Sequence, residues 1–479
     1  MKLHKPAAAF VLCALTLLAA RVSPAQTPTL AIAHVAVIDG TGRAPQEDQT
    51  VLIVGDRIAK VGPAKSIQVP KSARVVDGSG KFLLPGLWDM HVHVAGINAD
   101  PKWSGDALLP VLIASGITGV RDMGGDLEAL NTWKREIAAG QRIGPHILAS
   151  GPFLLGRGKK TADQIPVANA DEARATVRDL KQRGADFIKI ITMPSPEAFF
   201  DVADECKKQN IPFVGHLPRG VSALEASNAG MHSIEHLFYS SFALSVSSKE
   251  AELRDLINRA VQTRDAALAS KAIDEANATY DPQKAAALWS AFKKNGTWVE
   301  PTLAAIYRVG HPLPAARLHS DYLPAAVNQS WAEDAKDSNR ESAAAGIAKQ
   351  AENDWKLTRE MHAAGVSILV GSDSLDPGMI PGASLYSEMA ELIKAGMGPM
   401  DVIVAATRDA ARFAGLDKDY GTIEPSKYAD LALFRSDPTH NLAESLSSLD
   451  AVVLHGRYHD RPALNSMLDQ ARKAAAGVK

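Results

Sequence analysis

Cysteine is nearly absent from this chain, whose 479 residues include only two. Disulfide bonds therefore cannot form its framework, and its stability must come from a hydrophobic core. Hydrophobic residues make up 46% of the chain and charged residues 22%, a balance that supports a large core and argues against disorder. Cys206 lies on a predicted helix, and we interpret it as a packed thiol rather than a nucleophile.

A basic tract is also missing. The chain has 52 basic and 54 acidic residues, a formal net charge of −2. Removing the predicted leader described below takes away Lys2, Lys5 and Arg21 but no acidic residue, which leaves 49 basic and 54 acidic residues, a net charge of −5. Neither nucleic acid nor an anionic membrane is therefore an expected partner.

The first apolar run, residues 7–20, is shorter than the roughly 20 residues that span a bilayer. It follows two lysines and precedes the small residues 23–25, which is the pattern of a signal peptide. We therefore predict that residues 1–25 are a signal peptide cleaved after Ala25, with an uncleaved anchor as the alternative. The protein is then expected to be exported, to the periplasm or the medium, without a stable membrane span.

The pattern of the sequence changes twice along the chain. Residues 26–82 contain alternating segments and turn residues that predict short strands and hairpins. Residues 83–414 alternate short apolar runs with amphipathic helical segments, which is typical of a parallel barrel. Strand character returns in residues 415–479. We therefore predict an α/β fold: a (β/α)₈ TIM barrel with a small β-sandwich domain formed by the N- and C-terminal segments.

Eight apolar runs are the predicted barrel strands. They are residues 87–94, 117–123, 146–150, 187–192, 212–217, 233–237, 298–303 and 367–372. The polar helical segments 249–295 and 312–362 are longer than a plain barrel needs. Two interpretations stay open for them, a lid over the barrel mouth or ordinary packing helices.

The first and fourth runs carry residues that suit a metal site. His91 and His93 are one residue apart on a strand, so both point to the same face, a chelating geometry. Lys189 lies between isoleucines, where a buried amine is costly unless it is neutralised, paired or able to reach water at the rim. Its reaction with carbon dioxide would give a carbamate, an anion able to bridge two cations.

Three later runs end in further candidate ligands. His216 and His236 end the fifth and sixth runs, and Asp373 directly follows the eighth. Taken singly, each histidine could be structural and the aspartate a helix N-cap. Because the carboxyl ends of barrel strands meet on one face, the six side chains together predict one shared metal site there.

The segment Pro85-Gly86-Leu87-Trp88-Asp89-Met90-His91-Val92-His93, followed in order by Lys189, His216, His236 and Asp373, resembles the amidohydrolase superfamily. Residues 421–431 also look like that superfamily's return to its small β domain. Segments 215–218 and 233–237 are most similar to its exported imidazolonepropionase-like and dipeptidase-like branch. That branch includes Xaa-Pro dipeptidases, carboxypeptidases and an ochratoxin-cleaving amidase. The likeness spans essentially the whole chain after the leader.

The resemblance implies a hydrolase acting on C–N bonds with two divalent metal ions. His91, His93 and Asp373 would hold the first ion, His216 and His236 the second, and a carboxylated Lys189 would bridge both. Zn²⁺ is the default for such ligands, although affinity order alone also permits cobalt or manganese. Asp373 is the expected catalytic base and then acid.

The expected reaction is hydrolysis of an amide bond in a peptide or N-acyl amino acid. Arg219 and Tyr239 are candidate substrate contacts, with a surface ion pair and a packed ring as their alternatives. Peptidase relatives carry a Gly-Gly-His-like segment where this chain has Gly156-Arg157-Gly158-Lys159-Lys160, which favours an acidic substrate or is simply solvated. The expected partner is a small-molecule or dipeptide-like substrate, and self-association into a homo-oligomer is left open.

Three other functions compete with amide hydrolysis. One is hydrolysis of a lactone, ester or phosphotriester at the same site, because the same hydroxide attacks those centres. Another is hydrolysis of a cyclic amide, or a deaminase function, with one metal. The third is a non-catalytic binding protein, which the complete ligand set disfavours.

Overall fold

The computed structural model of the protein describes residues 30–478, except 97, 219, 238–240, 312–319, 337 and 443. The predicted leader, Arg219 and Tyr239 therefore lie outside the described residues. Strands and helices alternate through most of the chain, which gives a mixed α/β fold. Within the described residues, no helix has both the length and the apolar character needed to cross a membrane.

The strands of the described residues are β1 (Leu30–Val37), β2 (Gln46–Val54), β3 (Arg57–Pro63), β4 (Arg74–Asp77), β5 (Phe82–Pro85), β6 (Leu87–Val92), β7 (Ile117–Asp122), β8 (His146–Ala149), β9 (Phe153–Leu155), β10 (Gln164–Pro166), β11 (Ile188–Ile190), β12 (Phe213–Gly215), β13 (Ser233–Glu235), β14 (Trp298–Glu300), β15 (Leu431–Phe434), β16 (Leu449–Leu454) and β17 (Arg457–Asp460).

The helices are α1 (Pro101–Ala114), α2 (Leu127–Ala138), α3 (Ala170–Gln182), α4 (Pro196–Gln209), α5 (Ala223–Asn228), α6 (Ser241–Ser245), α7 (Glu250–Thr263), α8 (Ala266–Ala278), α9 (Pro282–Asn295), α10 (Leu303–Gly310), α11 (Ala325–Asp334), α12 (Ser338–Ala363), α13 (Ala383–Lys394), α14 (Pro399–Val404), α15 (Ala410–Phe413), α16 (Ser445–Ser448) and α17 (Arg461–Ala476). The described residues also include a 3₁₀ turn at Ala64–Ser66 and a π-helical turn at Ala405–Asp409.

One sheet combines the two ends of the chain. Its order is β17-β16-β15-β5-β1-β2-β3, with β4 also paired to β1. The N-terminal strand β5 pairs antiparallel with the C-terminal strand β15, from Phe82 opposite Phe434 to Pro85 opposite Leu431. Strand β1 changes its neighbour from β4 to β5 near His34, whose φ is +59°. Strand β1 pairs with β2, β4 and β5, and β5 pairs with β15, so hydrogen bonds join the strands of the two chain ends. The β-sandwich arrangement stays a prediction.

Parallel strands form two further sheets. One has the order β6-β7-β8, and the other has the order β10-β9-β11-β12-β13-β14. Seven of the eight predicted barrel strands are present as β6, β7, β8, β11, β12, β13 and β14. Their near-continuous burial agrees with the apolar runs that predicted them.

The eighth predicted run is held by isolated bridges rather than by a full ladder. Leu369 N donates to Val299 O of β14 at 2.9 Å, and Met90 N of β6 donates to Val370 O at 2.9 Å. Residues 367–374 therefore lie between β14 and β6. Pairing with β6 continues beyond this run, since Asp373 N donates to His91 O at 2.9 Å and His93 N donates to Ser374 O at 2.6 Å. The backbone of Asp373 is left-handed, with a φ of +55°. The ladders are not closed in the described residues, so the closed (β/α)₈ barrel stays a prediction.

The long polar helical segments contribute to packing. Helix α9 buries Leu288, Trp289 and Phe292 in the main core. Helices α7 and α8 share a smaller cluster with α6, which includes Leu253 and Ala272. Most residues of these helices are polar, but each helix has one apolar face, and that face makes these contacts. A lid role for these segments stays a prediction.

Candidate metal centre

The candidate ligands follow the carboxyl ends of the parallel strands. His91 is near the end of β6, and His236 comes directly after β13. His91 Nε2 lies 3.3 Å from Asp373 Oδ1, His93 Nε2 lies 3.5 Å from the same oxygen, and His236 Nε2 lies 3.9 Å from Asp373 Oδ2. Donor atoms of His91, His236 and Asp373 all fall within 4.8 Å of one another. His91 and Asp373, which come together here, are 282 positions apart in the sequence.

The two remaining candidates lie beside this group. His216 directly follows β12, and its ring centroid is 4.7 Å from that of His236. Lys189 is the central residue of β11 and is fully buried. Its register partner on β12 is Val214, two residues before His216. The structure therefore brings all six predicted side chains to one place.

Three residues at the same place have a strained backbone. His236, Asp373 and Thr302 have φ values of +61°, +55° and +49°, in the left-handed region that residues with a side chain seldom adopt. Each such residue costs on the order of 1–3 kcal/mol and persists only where its surroundings hold it. His236 is held in part by a hydrogen bond of 2.5 Å between its Nδ1 and Thr302 Oγ1.

Hydrogen bonds also orient the first two histidines. The Nδ1 atom of His91 lies 2.9 Å from Glu300 Oε2, and that of His93 lies 3.2 Å from Gly124 O. A carboxylate or carbonyl at Nδ1 favours the tautomer that leaves Nε2 as the free electron-pair donor. Both Nε2 atoms consequently face Asp373, which is the arrangement needed to share a cation.

Electrostatics favours the ligand forms of His91, His216, His236 and Asp373. His93 is the exception, because burial would lower its pKa but the neighbouring Asp373 raises it above the ordinary value. Burial, reinforced by the charge of Lys189, lowers the pKa of His91 and His216 well below the ordinary value. Burial likewise lowers the pKa of His236 to about 4. Burial alone would raise the pKa of Asp373, but the neighbouring His236 and His93 lower it to about 2. Neutral imidazoles and an ionised carboxylate are the forms that bind metal.

The contacts and the pKa of Lys189 show whether the site fits a bridging carbamate. Its Nζ has no hydrogen-bond partner within the described chain, and the nearest carboxylate oxygen, Glu235 Oε2, is 3.8 Å away. Burial lowers the pKa of this amine, which favours the neutral form that reacts with carbon dioxide. A carboxylated Lys189 would add oxygen donors to four imidazoles and one carboxylate. That donor set fits two divalent cations.

Asp89 ties the first strand to the segment that carries Asp373. Its Oδ1 accepts from the backbone N–H of Ser372 at 2.9 Å and of His91 at 3.2 Å, and its Oδ2 accepts from the Ser372 hydroxyl at 2.6 Å. Burial raises the pKa of Asp89 to about 7. Asp89 thus fixes the register of the two segments that supply His91, His93 and Asp373.

Three buried charged residues at the site were missed in the sequence. They are Arg121, Glu235 and Glu300, all of them inside predicted apolar strands. The signal that was available is the same one that drew attention to Lys189, an ionisable residue within an apolar run. Their partners could not be deduced, because those partners lie on other strands.

The basic loop 156–160 begins beside the strand that carries Lys189. Leu154 of β9 pairs with Ile190 of β11, and Gly156 N donates to Thr192 Oγ1 at 3.1 Å. Because the two strands are parallel, the loop continues beyond the carboxyl end of β11, on the side of the candidate ligands. Residues 157–160 are exposed there. Strands β9 and β10 were not predicted, since this segment is rich in glycine and lysine.

Comparison with known proteins supports the same identification. The model of the Amidohydrolase family matches residues 82–458. Ochratoxinase of Aspergillus niger is 26% identical over 262 residues, which cover 42% of this chain and 53% of that protein. The match thus spans about half the length of that relative.

Solved structures share the fold over nearly the whole chain. A bottromycin amidohydrolase has a TM-score of 0.69 at 22% identity, covering 94% of this chain and 91% of that one. A Xaa-Pro dipeptidase with bound methionine in its active site has a TM-score of 0.65 at 21% identity, covering 90% and 99%. The chain therefore belongs to the amidohydrolase family, a family of hydrolases acting on carbon–nitrogen bonds.

Proposed function

We propose that the protein hydrolyses an amide bond, in a peptide or an N-acyl amino acid, at a centre of two divalent cations. The observation that carries this proposal is the convergence of His91, His236 and Asp373 within 4.8 Å at the carboxyl ends of parallel strands. A closed (β/α)₈ barrel is part of the proposal, because barrel enzymes place their chemistry at that face.

The ligands are proposed in two groups. His91, His93 and Asp373 would hold one cation, and His216 and His236 the other, with carboxylated Lys189 between them. Zinc suits these nitrogen and oxygen donors. Two such cations would acidify a water molecule and polarise the carbonyl group of the substrate.

Asp373 is proposed as the group that moves the proton. Its low pKa keeps it ionised, and its Oδ1 and Oδ2 face three imidazoles at 3.3–3.9 Å. Asp373 would accept a proton from the attacking water and return it to the leaving amine. The backbone at this residue is left-handed, with a φ of +55°.

The names of similar proteins support small amide substrates. The structural neighbours include a Xaa-Pro dipeptidase, a bottromycin amidohydrolase and the ochratoxinase of A. niger. Arg219 and Tyr239, three residues after His216 and His236, stay proposed contacts for a substrate carboxylate. Export also stays a proposal, supported by the leader pattern of residues 1–25.

Elemental analysis of the purified protein, combined with a substrate panel, tests the proposal. We expect about two divalent ions per chain and turnover of some dipeptides or N-acyl amino acids, abolished by chelation and restored by Zn²⁺. Esters, lactones and phosphotriesters belong in the same panel, since activity on those alone would replace amide hydrolysis by the competing reaction. One ion per chain with activity on cyclic amides would favour the mononuclear alternative.

A further inference from the structure

One arginine next to the candidate ligands lies wholly inside the protein. Arg121, on β7, has no exposed surface. Its guanidinium donates from Nε to Met90 O at 2.6 Å and from Nη1 to Ser233 Oγ at 2.9 Å. Its Nη2 donates to Glu235 Oε1 at 3.1 Å and to Glu300 Oε2 at 2.7 Å. Arg121 therefore connects β7 with β6, β13 and β14.

Each of the two carboxylates has a second contact, with a candidate ligand. Glu300 Oε2 lies 2.9 Å from His91 Nδ1, and Glu235 Oε2 lies 3.8 Å from Lys189 Nζ. Both glutamates are completely buried. The guanidinium of Arg121 thus binds Glu300, which contacts His91, a ligand proposed for the first cation. It also binds Glu235, which lies beside Lys189, the residue proposed to bridge both cations.

Stability alone does not account for this group of charges. Removing a charge from water costs several kcal/mol, and replacing a buried ion pair by apolar residues is often neutral or stabilising. The planar guanidinium of an arginine contributes orientation rather than stability, because it fixes the direction of the carboxylates that it binds. The ring of Phe413, 4.8 Å from Arg121 Cζ, packs against the guanidinium and restricts it further.

We propose that Arg121 is the positioning residue of the metal centre. Through Glu300 it holds the imidazole of His91 with Nε2 toward Asp373, and it fixes Glu235 so that Oε2 lies 3.8 Å from Lys189 Nζ, within ion-pair distance but without a hydrogen bond. This inference rests on the proposed function, because it takes His91 and Lys189 as metal ligands. Without the guanidinium, two buried carboxylates lose their shared donor and repel each other, so both ligands lose their support.

The test measures binding of Co²⁺ to the full chain, read by titration and by the visible absorption of the bound ion. Arg121→Met is expected to weaken binding by about 10- to 100-fold, the usual loss when a partner of a metal ligand is removed. Its cobalt spectrum should also change, because the ligand geometry changes. Arg121→Lys should restore part of the affinity, since one ammonium group reaches only one of the two carboxylates.

Arg142→Met is the matched control. Its guanidinium also binds two carboxylates, Glu136 at 2.6 Å and Asp106 at 2.5 Å, but it contacts none of the candidate ligands. Wild-type affinity and spectrum are expected for this variant. If Arg121→Met shows them too, the positioning role is wrong while the metal centre stands.

A wild-type protein that binds no Co²⁺ at all would instead overturn the proposed function itself. Should Arg121→Met fail to fold, Glu300→Gln provides the second measurement, because it keeps the size of the side chain and removes its charge. Weaker cobalt binding and an altered spectrum are expected for it. Wild-type binding by folded Glu300→Gln would contradict the proposal.

Discussion

At the scale of single residues, Lys189 is an ionisable residue within an apolar strand, and its reactivity depends on its surroundings in the fold. A lysine between two isoleucines predicts burial, and the structure confirms that the side chain is buried with its Nζ 3.8 Å from Glu235 Oε2. Cys206, by contrast, is a packed thiol as predicted, and burial raises its pKa far above the ordinary value. Burial makes the cysteine inert but leaves the lysine reactive, because the neutral form of an amine is its nucleophilic form.

Asp373→Asn is predicted to lose most activity while keeping the fold. An amide in place of the carboxylate cannot take up the proton, a role that contributes about 10²- to 10⁴-fold to rate. The measurement is kcat on the best amide substrate, with metal content determined in parallel. Asp171→Asn, at a highly exposed position on α3, is the control and should keep wild-type kcat. Wild-type turnover by Asp373→Asn would remove the aspartate from the proposed mechanism.

Gly371→Ala is predicted to destabilise the protein and disturb the metal centre. A Cβ atom at this position would lie 1.7 Å from Glu300 Oε1 and 2.7 Å from His91 Cβ. Overpacking of this kind costs about 1–3 kcal/mol in unfolding free energy. Gly346→Ala is the control, since its Cβ meets nothing within 4 Å and alanine favours the helix. Denaturant unfolding of both variants checks the prediction, which is wrong if the two are equally stable.

At the scale of elements, helix α12 carries a buried acid. Asp354 is fully buried, and its Oδ1 accepts a hydrogen bond from Gln350 Nε2 at 2.9 Å. Burial raises its pKa from 3.8 to about 8. Between pH 4 and pH 8 the folded state therefore holds a proton that the unfolded state has released, so the stability that this group contributes falls as the pH rises through that window.

Asp354→Asn is accordingly predicted to gain stability relative to the wild type as the pH rises. The difference should grow by up to about 1.4 kcal/mol per pH unit between pH 5 and pH 8. Urea unfolding at both pH values measures it. Asp274→Asn, at an exposed position paired with Lys349 at 2.8 Å, should show no such trend. A constant difference between Asp354→Asn and the wild type would show that Asp354 ionises normally in the fold.

The loop between β9 and β10 supplies a prediction about substrate charge. Replacing Arg157, Lys159 and Lys160 by glutamine should raise KM for substrates with an additional carboxylate by about three- to tenfold, because exposed charge pairs contribute about 0.2–1 kcal/mol each. KM for neutral substrates should not change. Replacing the exposed Lys207 and Lys208 on α4 provides the control. Equal KM changes for charged and neutral substrates would mean that the loop is only solvated.

At the scale of the whole molecule, the two ends of the chain depend on each other. Strand β5 leads directly into β6, which carries His91, and its neighbour β15 comes from the C-terminal segment. Helix α17 packs on α1 and buries Leu464 and Ala471. The sheet therefore anchors the base of the first parallel strand, so that both termini support the metal centre.

Metal removal is predicted to lower the melting temperature. A ligand present at about 1,000 times its Kd stabilises the folded state by about 4 kcal/mol, which corresponds to a shift of about 4 °C for a chain of this length. Thermal unfolding with and without a chelator measures the shift, and Zn²⁺ should reverse it. A His91→Ala protein should respond less, since one ligand is missing. An unchanged melting temperature in the wild type would argue against a tightly bound metal.

The sequence by itself determined the local features. Apolar runs predicted seven parallel strands at the observed positions, because burial on both faces requires apolar side chains along the whole strand. The spacing of His91 and His93 placed both rings on one face. The ordered motif that ends at Asp373 indicated the amidohydrolase family, which the comparison shows. Each of these signals is carried by residues close together in the sequence or by the order of residues along it.

Only the tertiary structure decided the long-range partners. The bonds of Arg121 with Glu235 and Glu300 join residues 114 and 179 positions apart. The left-handed backbone of His236 depends on its surroundings in the same way. Periodicity reports whether a side chain is buried, but not which strand lies opposite, because that depends on register between strands far apart in the chain. Since charges inside a protein are tolerated only with partners, their positions were visible in the sequence while their pairings required the fold.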